Sequence, residues 1–179
     1  MSESSTQNLQ DQWLLILDFG SQYTQLIARR VRESGVYCEI QPFDVSEDYF
    51  SERVPNGVIL SGGPETVTEG NTPRIPDEIF ELGVPVLGIC YGMQALASQL
   101  GGEVESSDRR EFGHAKIKME SESELMSTLD LASDAEAQVW MSHGDKVVRL
   151  PEGFSVTVST GSAPIAAMED ASKNIFAVQ

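Results

Sequence analysis

The chain has 179 residues, 40% of them apolar and 22% charged, which is the balance of a folded protein and not of a disordered one. Its 28 Asp and Glu outnumber its 12 Lys and Arg, for a net charge of −16. Such a chain repels phosphate backbones and anionic lipid surfaces, so neither nucleic acid nor membrane is an expected partner.

Residues 1–12 are polar, with no basic or apolar region of a signal peptide, and are expected to be a flexible start. No apolar run reaches the length of a membrane span. Cys38 and Cys90 cannot build a disulfide framework, and with His114 and His143 they follow no zinc spacing. A reducing, cytoplasmic setting and no metal site are the expectations.

Trp13–Asp18 is a continuous apolar run and predicts a strand buried on both faces. Ser21 is placed to cap a helix in which Tyr23, Leu26, Ile27 and Val31 face inward and Arg29, Arg30, Arg32 and Glu33 face water. Gly35 is its stop signal. Val36–Gln41 alternates as a strand, with Cys38 as a packing residue. Gly57–Leu60 predicts another buried strand, followed by Ser61-Gly62-Gly63-Pro64 and a polar loop to Pro76. A short helix at Asp77–Leu82, a strand at Pro85–Ile89 and a helix at Tyr91–Leu100 come next. Met93, Leu96, Ala97 and Leu100 form one face of that last helix. Apolar strands alternating with helices predict a parallel sheet covered on both sides, with its functional loops at the strands' carboxyl ends.

The second half reads differently. Ala115–Met119, Gln138–Met141, Ser155–Ser159, Ile165–Met168 and Asn174–Gln179 predict strands separated by turns, with one short helix near Glu122–Leu129. No linker divides the halves. Residues 13–179 are expected to form one α/β domain with a smaller antiparallel extension.

Gly88-Ile89-Cys90-Tyr91-Gly92 lies between a buried strand and a helix. This is a cysteine form of the nucleophile elbow, in which glycines permit a tight turn and the sulfur sits at the first turn of a helix. The partial positive charge there favours a thiolate. Gly63, at a neighbouring strand end, suits an oxyanion donor, since a glycine lets its N–H approach a substrate oxygen closely; the N–H of Tyr91 is the second candidate. Gln94 lies one turn beyond Cys90, and its spacing fits a substrate-binding amide and a solvated helix residue equally. His143 reads either as a base for Cys90 or as part of a strand-end binding turn, Ser142-His143-Gly144-Asp145. His114 fits a surface position at a strand edge. Spacing does not choose among these.

These motifs resemble the class I, triad-type glutamine amidotransferases. The resemblance is carried by ILDFGSQYTQLIARRVRE (Ile16 to Glu33), VILSGGPETV (Val58 to Val67), PVLGICYGMQ (Pro85 to Gln94), EFGHAKI (Glu111 to Ile117), VWMSHGDKV (Val139 to Val147) and NIFAVQ (Asn174 to Gln179). LGICYGMQ marks the wider class; FGSQYTQLIARRVRE with WMSHGDKV resembles the amidotransferase domain of the GMP synthetase family in particular. The resemblance implies a three-layer, flavodoxin-like fold and hydrolysis of glutamine to glutamate and ammonia. It implies Cys90 as nucleophile, Gly63 and Tyr91 as oxyanion donors, and Gly62, Gln94, Ser142, Gly144 and Asp145 around the glutamine, the last three mainly through backbone atoms. His143 is then not the base. The family's base is the His of a Phe-His-Pro-Glu motif after a strand resembling NIFAVQ, where this chain stops at Gln179.

The resemblance implies no metal or organic cofactor for glutamine hydrolysis, and ATP with Mg²⁺ for a synthetase (ATP pyrophosphatase) domain of a longer chain that also dimerises. On this reading the chain is a fragment cut at the edge of its active site, and poorly active alone. The competing readings are a cysteine-elbow protease or deglycase, another class I amidotransferase, and a binding module that keeps a glutamine pocket without catalysis.

Overall fold

The structure is a computed structural model that describes residues 12–46, 48–128 and 137–179, the side chains of Glu52, residues 107–112, Thr128 and His143 excepted. The expected flexible start therefore falls, all but Gln12, outside the described residues. β1 (Trp13–Asp18), β2 (Tyr37–Pro42), β3 (Gly57–Leu60) and β4 (Val86–Ile89) are parallel strands. Between them run α1 (Thr24–Glu33), α2 (Asp48–Glu52) and α3 (Glu78–Glu81), and α4 (Tyr91–Gln99) follows β4. β5 (Glu103–Met119), a 3₁₀ turn at Leu125–Thr128, β6 (Ala137–Arg149), β7 (Ser155–Ser159), β8 (Ala167–Asp170) and β9 (Ile175–Val178) complete the described elements. One sheet runs β2-β1-β3-β4-β9-β8-β7-β5-β6. β9 pairs in parallel with β4, while β8, β7, β5 and β6 form the antiparallel extension.

The alternation of β1 explains why both its faces are apolar. Leu15 and Leu17 join Met93 and Leu96 of α4 in the main core. Leu14 and Ile16 point the other way and pack with Ile27, Ala28 and Cys38. Helices thus cover both faces of the parallel part. Cys38 is the packing residue expected, its Sγ 3.5 Å from the Ala28 carbonyl oxygen.

The inward face of α1 departs from the expected one. Tyr23 and Leu26 are 55% and 46% exposed. Ile27 and Val31 face the sheet as expected, and Thr24 and Ala28 join them. The Thr24 hydroxyl donates to Asp18 Oδ1 at 2.7 Å, which pins the helix start to the end of β1 and turns the 24/28 stripe inward. Ser21 does not cap α1 directly: its Oγ accepts the Tyr23 N–H at 3.0 Å, one residue before the helix.

α4 is buried all round from Tyr91 to Ala97, not on one face. It packs against β3, β4 and β9 and also against β5 and β6, so a helix of small and apolar residues fits a central position. β5 and β6 are far longer than expected and form a hairpin in which Val104 faces Val147 and Ala115 faces Val139. Ser142-His143-Gly144-Asp145 consequently lies inside β6 and is not a turn after a strand. β8 begins two residues after the expected Ile165, α2 was not anticipated, and the helix near Glu122–Leu129 is the shorter 3₁₀ turn, with Leu129 outside the described residues.

Candidate active site

β4 delivers Cys90 to the carboxyl edge of the sheet in a backbone conformation rare for a residue with a side chain, φ 51° and ψ −108°. Such a conformation costs about 1–3 kcal/mol and persists only when its surroundings hold it. Two hydrogen bonds do so. The Cys90 N–H donates to the Val178 carbonyl at 2.8 Å, and the Cys90 carbonyl accepts the Gln94 N–H at 3.1 Å. The close packing behind the elbow demands Gly92: a Cβ there would lie 2.5 Å from the Leu60 carbonyl oxygen.

The Ser61–Pro64 loop at the end of β3 closes on the elbow. The Gly92 N–H donates to the Ser61 carbonyl at 3.1 Å. Ser61 is fully buried; its Oγ accepts the Phe19 N–H at 3.0 Å and donates to the Gly62 carbonyl at 2.9 Å. A Cβ on Gly62 would stand 3.5 Å from both Cys90 Cβ and Ser21 Oγ. Three strand-end loops, those after β1, β3 and β4, therefore meet at Cys90. Gly63 is fixed in place because a Cβ would fall 2.5 Å from the Phe19 carbonyl oxygen. Among the described residues, no acceptor bonds the N–H of Gly63 or of Tyr91. The Tyr91 ring is buried beside Phe19, and its hydroxyl donates to the Pro73 carbonyl at 2.6 Å.

Gln94 is buried, which settles the choice between a solvated residue and an inward one. Its Nε2 donates to the Asp145 carbonyl and to Gln179 Oε1, each at 3.2 Å. Asp145 of β6 is thus tied to the elbow helix through its backbone. Ser142 is exposed and Gly144 half-buried on the same strand, and neither bonds to Cys90 or Gln94. His114 is exposed and meets the exposed Trp140 ring edge to face at 4.9 Å. The His143 side chain lies outside the described ones. The sequence places Ser21 as a helix cap and Ser61 in the glycine loop, and gives none of Ser21, Ser61 and Gln179 a part in the site. Ser61 and Gln179 each end an apolar strand with a polar side chain, a signal that could have found them.

Burial pushes the Cys90 thiol above its ordinary value and is its one resolved cause among the described residues. The N-terminus of α4 works in the opposite direction. Among the described residues no three of His, Cys, Asp and Glu are grouped to hold a metal, and no helix is long and apolar enough to cross a membrane.

A parallel sheet with a cysteine elbow at one strand end and a glycine loop beside it defines the class. The model for the class-I glutamine amidotransferases matches residues 15–179, and the chain belongs to that family. It is 58% identical over 177 residues to a glutamine-hydrolysing GMP synthase of Marinobacter nauticus, covering 97% of this chain and 34% of that protein. A Haemophilus influenzae protein of the same name is 57% identical over 175 residues, or 96% of this chain and 34% of its own. The chain spans about a third of the length of these curated relatives. A solved structure from Thermoplasma acidophilum, described as one component of a GMP synthase, superimposes with a TM-score of 0.77 at 26% identity, over 94% of this chain and 82% of that one. A glutamine amidotransferase of Thermotoga maritima shares the fold, with a TM-score of 0.73 at 20% identity over 94% and 75% of the two chains.

Proposed function

We propose that the chain is the glutamine-hydrolysing part of a GMP synthase, supplying ammonia that aminates XMP to GMP. The observation that carries the chemistry is Cys90 held at positive φ between β4 and α4, with the Gly63 and Tyr91 N–H groups unbonded beside it. The Cys90 thiolate adds to the carboxamide carbon of glutamine. The oxyanion formed is met by the two N–H groups. Collapse expels ammonia, which leaves with a proton from a histidine, and a glutamyl thioester remains. Water, deprotonated by the same histidine, cleaves the thioester to glutamate and restores the thiol.

The family pattern assigns that histidine to a Phe-His-Pro-Glu motif following a strand like β9. The end of β9 lies against the elbow, since Val178 accepts the Cys90 N–H. This supports a base arriving from there and not from His143 on β6. Gly62, Gln94, Ser142, Gly144 and Asp145 form the proposed surroundings of the substrate. The synthetase part, with ATP and Mg²⁺, the dimer and the cytoplasmic setting belong to the same proposal, and they follow from the relatives' names and the resemblance.

The test is trapping of the intermediate. Glutamine labelled in its carbon chain should form an acid-stable adduct on Cys90, and Cys90→Ala should abolish it together with ammonia release. Ammonia release that survives Cys90→Ala overturns the mechanism.

A further inference from the structure

The Asp145 carbonyl oxygen can only accept hydrogen bonds. The Gln94 side-chain atom 3.2 Å from it must therefore be the nitrogen, and the Gln179 atom 3.2 Å from that nitrogen must be an oxygen. Turning over the Gln94 amide would set acceptor against acceptor twice. Turning over the Gln179 amide would set donor against donor. Both N–H bonds of Gln94 are thereby committed to protein, and Oε1 is the end of the amide with no partner among the described residues, one helical turn from Cys90.

Gln179 makes this arrangement with one end of its amide, Oε1. Its own Nε2 is buried and has no partner among the described residues. Its side chain makes one hydrogen bond, the one that orients Gln94.

We propose that Gln179 is a positioning residue: it holds the Gln94 amide so that an acceptor oxygen is offered to the protonated amino group of an amino-acid substrate. The proposal rests on the glutamine reading above. It predicts recognition of the amino group specifically, because an oxygen with both adjacent N–H bonds committed can accept from an ammonium and cannot donate to a carboxylate.

The test uses Gln179→Met, which keeps the length of the side chain and loses the amide, and Gln179→Glu, which keeps an acceptor toward Gln94. Both are made in a Cys90→Ser background so that binding is measured without turnover. Calorimetry reads the affinity for glutamine and for its analogue lacking the amino group, and NMR reads the Gln94 side-chain N–H resonances in the free protein. Gln179→Met is expected to weaken glutamine about five- to tenfold and to leave the analogue unchanged, while Gln179→Glu stays within about twofold of the parent. The Gln94 resonances should move in the first variant and not in the second.

Unchanged glutamine affinity in Gln179→Met, or equal losses for glutamine and the analogue, overturns the proposal while leaving glutamine as the ligand. A parent that binds no glutamine overturns the glutamine reading. In that case Gln94 resonances that stay in place in Gln179→Met overturn the positioning role as well, and resonances that move uphold it.

Discussion

The Gly92 N–H donates to the carbonyl of Ser61 at 3.1 Å, which bonds the first turn of α4 to the end of β3. The bond joins the loop of Gly63 to the elbow of Cys90 and so ties the two halves of the candidate oxyanion site together.

Ser61→Ala should loosen that joint. It removes the acceptor of the buried Phe19 N–H, and leaving such a donor unpaired costs about 1–3 kcal/mol. Denaturant unfolding should show that loss, and Ser61→Cys should restore part of it. A stability equal to the parent's would show that water replaces the hydroxyl.

Gly92→Ala should damage the elbow. The added methyl meets the Leu60 carbonyl, a backbone group that cannot swing aside. A loss of about 1–3 kcal/mol is expected. Gly161→Ala, with open space around the new methyl, is the control and should be near neutral. Thermal unfolding of the two variants checks the contrast, and equal melting temperatures would contradict the packing described.

Iodoacetamide should alkylate Cys90 before Cys38. Cys38 is 1% exposed and packed behind α1, while Cys90 is half-buried at the sheet edge. Mass mapping after brief treatment reads the order, and Cys38 modified first would refute it.

The raised thiol pKa of Cys90 carries a sign for stability. Burial makes ionisation harder in the folded state than in the unfolded one. This contribution is fully present below the ordinary thiol value, about 8.5, and is lost as pH rises through the folded value. Tyr49, pushed up to about 12 chiefly by burial, adds a decline of the same sign at higher pH. Cys90→Ser should therefore lose less stability than the parent between about pH 8 and pH 10. Parallel curves for the two proteins would exclude the thiol as a cause.

The proposed mechanism separates the base from the nucleophile. The 179-residue chain should release ammonia from glutamine about 10²- to 10⁴-fold more slowly than the same chain lengthened through a Phe-His-Pro-Glu motif. Equal rates would return the role to His143 or His114.

The parallel half and the elbow are legible in the chain alone. Trp13–Asp18 and Gly57–Leu60 are apolar on both faces, and Gly88-Ile89-Cys90-Tyr91-Gly92 joins a strand to a helix; each is a local pattern with a local cause. Tertiary structure decided which side of α1 turns inward, since the Thr24 bond to Asp18 outweighs the pull of Tyr23 and Leu26. It also drew Ser142–Asp145 into β6, because pairing with β5 supplies partners that no window of β6 alone contains. The link from Asp145 through Gln94 to Gln179 spans 51 and 85 residues from the central glutamine. Contacts at such separations leave no periodicity in the chain, and they exist only once the fold has packed β9 and β6 against α4.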